Sequence, residues 1–227
     1  MRDFTARMGT AIDKPIMDKL PRESTCYRIR LKQILCEKSV KRGNFVLSSG
    51  KTSNYYLDAR LTTLDPEGAL CTGMAVLEVL KTLQPYPKAI GGLTMGADPI
   101  VAVVAALSHQ QALLNQGVGG QVGPPVSGFL VRKEPKKYGT QQYIEGWQGA
   151  PGDPVVIVDD VCTTGGSTIK AIEQAQRAGY SVIAAICLVD REEGGREAIE
   201  RHCPFHPLFT ARELLAAPET KATSGAA

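Results

Sequence analysis

One segment in the second half of the chain, Val155 to Thr168, restricts the fold more than any other feature. It begins as a β-branched and aliphatic run, Val155-Val156-Ile157-Val158, and continues into the acid pair Asp159-Asp160. Then come Val161-Cys162-Thr163-Thr164-Gly165-Gly166-Ser167, opening a helix over Ser167 to Ala178 that Gly179 closes. An apolar run without polar alternation is a strand buried on both faces, and such strands belong to parallel sheets covered by helices. The turn after it carries its own chemistry. Glycines let successive backbone N–H groups converge, hydroxyls add donors, and the helix N-terminus adds partial positive charge, which together cradle a phosphate. Two carboxylates directly before that cradle would repel the phosphate itself. They suit hydroxyl donors of the same ligand, a metal bound to it, or positive charge that develops during reaction. A ribose 5-phosphate meets all three conditions. No lysine follows the glycines as in a P-loop, and Gly-x-Gly-x-x-Gly is absent, so ATP and NAD readings weaken.

Elsewhere the chain alternates in the same manner. Ala89 to Gly92 predicts a strand running into a glycine-bearing loop, with Asp98 as N-cap and Pro99 as first residue of a helix through Ile100, Val104 and Leu107. Val126 to Val131 and Val182 to Val189 predict further strands, the second of them central like Val155 to Val158. Upstream, Tyr27, Leu31, Ile34, Leu35 and Lys38 predict a helix behind Ser24 or Thr25. Asn44 to Leu47 and Asn54 to Asp58 predict short strands around a turn, and Leu70, Met74, Leu77, Leu80 and Leu83 a helix begun near Pro66 and stopped by Pro85 and Pro87. Gln116 to Pro125 reads as a turn. Arg132 to Trp147, charged, with Pro135, Gly139 and Gly146 but no apolar period, reads as a long mobile loop. The expected fold is α/β: a central, mostly parallel sheet with helices on both faces and ligand at the carboxyl ends of its strands. Residues 1–23 and 218–227, polar or small throughout, are expected to be flexible extensions around one domain over residues 24–217.

Composition narrows the class of partner. With 227 residues, 43% of them hydrophobic and 22% charged, the chain can build a core without disulfide staples. A formal charge of +3 is too slight to argue for nucleic acid, although the cluster Arg132 to Lys137 suits a phosphorylated ligand. Ile100 to Leu107, as long an apolar stretch as any in the chain, falls far short of a membrane span, and Met1 to Arg22 lacks the apolar block of a secretory signal. A cytoplasmic protein that uses no membrane is expected. The cysteines, six in all, show no Cys-x-x-Cys spacing and are expected to be reduced, mostly buried thiols.

The Val155 to Thr168 segment resembles the phosphoribosyl pyrophosphate signature of the type I phosphoribosyltransferases. Phe45-Val46-Leu47-Ser48-Ser49-Gly50-Lys51-Thr52-Ser53-Asn54-Tyr55-Tyr56-Leu57-Asp58 and Arg132-Lys133-Glu134-Pro135-Lys136-Lys137-Tyr138-Gly139 narrow the likeness to the orotate phosphoribosyltransferase family, over roughly Ser24 to Leu215. The resemblance implies the type I fold with a small N-terminal hood. It also implies transfer of a 5-phosphoribosyl group to orotate in pyrimidine biosynthesis, giving orotidine 5'-monophosphate and pyrophosphate. It sets Asp159 and Asp160 against the ribose hydroxyls, and Val161, Cys162, Thr163, Thr164, Gly165, Gly166 and Ser167 in the loop that holds the phosphoribosyl pyrophosphate, with Thr163 to Ser167 around the 5-phosphate. Thr163, Arg191 and Tyr56 would face orotate; Arg132, Lys133, Lys136 and Tyr138 would meet the pyrophosphate.

On this likeness the catalytic residues are Asp159, Asp160, Lys133 and Lys136. The basic loop closes over a neighbouring subunit's site in a homodimer, and Mg²⁺ arrives on the pyrophosphate without a direct protein ligand. Elementary electrostatics agrees about the basic loop, since pyrophosphate departs carrying several negative charges and cations that meet it lower the barrier. Tyr138 stands where many relatives have histidine, and Ser48 and Gly96 where many have lysine. Two other readings of the same pocket are a non-catalytic regulator that binds phosphoribosyl pyrophosphate and a transferase acting on a purine base. The intact basic loop argues against the first, and Arg191 with Ser49-Gly50-Lys51 against the second.

Overall fold

The structure, a computed structural model, describes residues 24–46, 52–114, 123–135 and 143–216. Helix α1 (Ser24–Ile34) passes through a π-helical turn (Leu35–Ser39) into an antiparallel pair, β1 (Val40–Val46) and β2 (Thr52–Leu57). This pair is the hood. A single turn, α2 (Arg60–Thr63), leads to α3 (Pro66–Thr82), where Asp65 accepts from the Gly68 N–H at 2.9 Å and Pro66 takes the first position. Proline fits there because its missing N–H has no helical partner to lose.

The remaining elements form the main sheet and its cover. They are β3 (Ala89–Leu93), α4 (Asp98–Leu114), β4 (Ser127–Val131), β5 (Ile144–Gly146), β6 (Pro154–Cys162), α5 (Gly166–Arg177), β7 (Ser181–Asp190), α6 (Gly195–Ile199), β8 (Phe205–Thr210) and α7 (Ala211–Leu215). The strands lie in the order β5-β4-β3-β6-β7-β8, parallel except for β5 against β4. The period of two in the central strands sorts their side chains onto two faces. Val156, Val158, Ala184, Ile186 and Leu188 pack into one buried cluster with Leu31, Leu77 and Val104 from α1, α3 and α4. Val155, Ile157, Ala185 and Cys187 pack into the other with Ala171, Ile172 and Ile199 from α5 and α6. Each such aliphatic side chain contributes about 1.5–3 kcal/mol by leaving water, so β6 and β7 are the rigid centre of the molecule.

The winding reverses between β3 and β6. From β3 the chain crosses through α4 to β4 on one side, whereas β6, β7 and β8 advance to the other. A crevice opens at such a switch point, at the carboxyl ends of the two strands.

Several elements differ from what the sequence suggested. Ile144 to Gly146 lies inside the segment read as loop yet pairs with β4 through Phe129, Leu130 and Val131, because that outer strand offers an unpaired edge. Asp98 is the first residue of α4 rather than its cap, and its buried Oδ1 has no hydrogen-bond partner among the described residues. The cysteines agree with the expectation of free, mostly buried thiols: Cys71, Cys162, Cys187 and Cys203 are buried, Cys36 is half-buried and Cys26 exposed. The extensions 1–23 and 218–227, most of the turn at 116–125 and the middle of the basic loop lie outside the described residues. Among the described residues no helix is long and apolar enough to cross a membrane.

Candidate active site

Strand β6 does not stop at Val158. It carries the acid pair to its end, paired with β7 as far as Cys162 opposite Asp190, so a rigid strand rather than a loop aims both carboxyl groups. Asp159 turns inward and is buried: its Oδ2 accepts from the Thr168 hydroxyl at 3.2 Å and its Oδ1 from the Asp160 N–H at 3.0 Å. Asp160 lies nearer the surface, its Oδ1 accepting from the Val161 N–H at 2.8 Å. Burial holds both carboxyl groups above the usual carboxylate range, and for Asp159 the neighbouring charge of Asp160 adds to the effect. Two desolvated acids side by side are costly to the fold. They are suited to accept hydroxyl protons from a ligand or to face a developing cation.

After Cys162 the chain turns through Thr163 and Thr164 to Gly165, whose φ of +81° is left-handed backbone, and enters α5. That conformation suits glycine, and the turn leaves Thr164, Gly166 and Ser167 exposed at the helix N-terminus with N–H groups that lack intrahelical partners. This is the phosphate nest read from the sequence.

The crevice itself has a volume of about 280 Å³. Its walls are Asp159, Asp160, Val161 and Ser167 from β6 and α5, and Leu93 to Gly96 following β3. Tyr56 and Leu57 of the hood, Asp58 to Arg60 at the start of α2, and Lys133 from the stem of the basic loop close it. Gly96 is needed for the close approach of the β3 loop. A Cβ there would lie 2.8 Å from Asp160 Cγ and 3.1 Å from Asp159 Oδ1, and nearer still to Asp160 Oδ1. Tyr56 is exposed in this wall, its ring 5.7 Å from that of Phe45. The Lys133 carbonyl accepts from Lys170 Nζ on α5 at 2.5 Å, which ties the stem of the basic loop to the helix behind the nest.

Thus Tyr56, Lys133, Asp159, Asp160, Val161 and Ser167 come together as the sequence suggested. Others stand differently. Cys162 is buried, and burial pushes its thiol up to about 12, so only its backbone is available to a ligand. Arg191 does not line the crevice: its guanidinium lies over the Tyr55 ring at 5.0 Å, donates to the Tyr55 hydroxyl at 3.2 Å and pairs with Glu193 at 2.8 Å. Its backbone N–H nevertheless donates to the Cys162 carbonyl at 2.8 Å, fixing it beside the turn. Arg132 pairs with Glu145 of β5 at 3.3 Å. Lys136 and Tyr138 lie outside the described residues. The sequence reading overlooked Asp58 and Arg60, although Asp58-Ala59-Arg60 directly after a strand was a visible signal.

Comparison with known proteins agrees with this geometry. Residues 131–203 match the family model of the phosphoribosyl transferase domain, which defines the class. Orotate phosphoribosyltransferase of Synechocystis sp. is 41% identical over 185 residues, 81% of this chain and 86% of its own length. The enzyme of the same name from Aquifex aeolicus is 42% identical over 192 residues, 83% of this chain and 97% of its own. Among solved structures, orotate phosphoribosyltransferase of Mycobacterium tuberculosis H37Rv in complex with Fe(III) dicitrate superposes with a TM-score of 0.68 at 31% identity, covering 83% of this chain and 98% of that one. The chain belongs to the orotate phosphoribosyltransferase family. The M. tuberculosis enzyme has also been solved in complex with 5-phospho-alpha-D-ribosyl 1-diphosphate, with a TM-score of 0.64 and 29% identity over 83% of this chain and 98% of that one.

Proposed function

We propose that the protein transfers the 5-phosphoribosyl group of phosphoribosyl pyrophosphate to orotate, giving orotidine 5'-monophosphate and pyrophosphate in the cytoplasmic synthesis of UMP. The observation that carries this reading is an acid pair, Asp159 buried and Asp160 half-buried, fixed on a strand end beside an anion nest, in one crevice at the switch point of the sheet. Backbone N–H groups of Thr163 to Ser167 hold the 5-phosphate, with the α5 N-terminus favouring its charge. Asp159 and Asp160 accept the ribose hydroxyls, and that bonding draws both carboxyl groups back toward ionisation.

The C1–O bond to pyrophosphate then loosens, and the leaving oxygen keeps the electron pair. Positive charge that builds on the ribose faces the two carboxylates, and the orotate ring nitrogen attacks C1 from the opposite side while its proton passes to water. Lys133, with Arg132, Lys136 and Tyr138 of the same loop, receives the pyrophosphate, and each charge-assisted hydrogen bond made there is worth about 1.5–3 kcal/mol. Tyr56 stacks on orotate, while Thr163 and Arg191 bond its polar edge. Rate therefore arises from positioning and electrostatics, with no covalent enzyme intermediate.

Carboxylate oxygens are the hard donors magnesium takes. The pyrophosphate oxygens are donors of the same kind, so the ion arrives on the substrate without a direct protein ligand. Such an ion supplies neutralising charge to the leaving group. The domain spans residues 24–217, and the protein acts as a homodimer whose basic loop is shared between subunits.

Orotate's ultraviolet absorbance tests the activity directly. It should fall only when phosphoribosyl pyrophosphate and Mg²⁺ are both present, and purine bases should not be consumed. Binding of phosphoribosyl pyrophosphate without loss of orotate, or consumption of adenine or hypoxanthine in its place, would overturn the reading.

A further inference from the structure

We propose that Arg60 is a second cation for the pyrophosphate end of the substrate, held in place by Asp58. The crevice has to receive a polyanion although its floor is two carboxylates, and among its described lining residues only Lys133 and Arg60 are cationic. The loop after β3 supplies none from position 96, where Gly96 lies close against the Asp160 carboxylate. Arg60 stands across the crevice on the first turn of α2. Its Nε and Nη2 donate to the two oxygens of Asp58 at 2.9 Å each, and its backbone N–H donates to Asp58 Oδ1 at 3.1 Å.

A guanidinium gripped along one edge keeps its plane fixed and its other nitrogen free to donate. Among the described residues nothing accepts from Arg60 Nη1. Arg60 and Asp160 line the same crevice, which puts the guanidinium within reach of a ligand held by that acid. Asp58 is held below the usual carboxylate range, first by its hydrogen bonds from Arg60, so the pair stays ionised at working pH. Arg60 therefore contacts the leaving group, and Asp58 is a positioning residue that aims it.

This inference rests on the crevice taking phosphoribosyl pyrophosphate, and its test separates the two claims. Titration calorimetry with pyrophosphate and Mg²⁺ needs no turnover. Arg60→Gln should weaken pyrophosphate by about tenfold to a hundredfold, the worth of one charged hydrogen bond. Arg60→Lys, which keeps the charge but loses the fork, should recover part of that loss. Affinity for ribose 5-phosphate should stay within about twofold, and in the steady state KM for phosphoribosyl pyrophosphate should rise while KM for orotate does not. Pyrophosphate binding unchanged in Arg60→Gln, or pyrophosphate and ribose 5-phosphate weakened alike, would overturn the assignment. Should the wild-type protein fail to consume orotate yet bind pyrophosphate through Arg60, the transferase reading falls and the cation assignment stands.

Discussion

Gly96 gives the sharpest separation of function from stability. In Gly96→Ala the new methyl group would stand 2.8 Å from Asp160 Cγ, against an ordinary carbon contact of about 3.5–4.0 Å, so the carboxylate has to move by about 1 Å. The obstruction is the far end of a short, half-buried side chain rather than backbone. Asp160 can therefore rotate away at an off-rotamer cost of about 1 kcal/mol, a fall of about 2–4 °C in Tm for a chain of this size. The same displacement spoils the alignment of acid and ribose, and a misplacement of about 1 Å can cost about a hundredfold in rate, equivalent to about 2.7 kcal/mol at the transition state. Orotate consumption and a thermal melt on the same sample measure both quantities. A kcat/KM within about threefold of wild type would refute the reasoning, because the acids would then not need their observed positions. A drop in Tm of more than about 10 °C would refute it from the other side, since the glycine would be serving the fold.

Two further outcomes follow from the electrostatics. Burial and the charge of Asp160 raise Asp159 in the folded state, so the fold keeps a proton that the unfolded chain releases. That stabilisation is complete below the ordinary carboxylate range and is lost as pH rises through the folded pKa. Asp159→Asn cannot ionise, so its Tm should approach wild type near pH 4 and exceed it at about pH 8, with turnover lower by about a hundredfold or more; a parallel pH dependence in the two proteins would contradict this. Arg191 is occupied by Glu193 at 2.8 Å, and the Glu193 side chain is 41% exposed. If Arg191 meets the orotate carboxylate, Glu193→Gln removes a competitor worth at most about 1 kcal/mol, and KM for orotate should fall by about two- to fivefold with KM for phosphoribosyl pyrophosphate unchanged. A rise in KM for orotate would mean that Glu193 orients the arginine instead.

The centre of the fold was legible in the chain because β6 and β7 are apolar on both faces and α5 follows a glycine turn, so pattern and burial agree there. The periphery was not. β5 is three residues long, carries Glu145, and forms because β4 offers an edge, which no local pattern encodes. β8 was overlooked because its six residues include His206 and Pro207, and its strand character comes from pairing with β7. At the site, residues carried by continuous motifs were found, Tyr56 and Lys133 as well as Asp159 to Ser167, and those that matter only by contact were not. Asp159 to Thr168 form a single run, whereas Arg60 enters from α2, and the part Thr168 plays comes from the contact of its hydroxyl with Asp159. Gly96 was noticed as a missing lysine, but its proximity to the acid pair is a property of packing between the β3 loop and β6.

The grip on the sugar phosphate is best tested by a crystal structure of the protein with phosphoribosyl pyrophosphate and Mg²⁺. The 5-phosphate should sit on the backbone N–H groups of Thr163 to Ser167, the ribose hydroxyls should donate to Asp159 and Asp160, and the pyrophosphate should point toward Lys133. A ligand bound with its pyrophosphate on the glycine turn, or with its ribose out of reach of both carboxylates, would contradict the account.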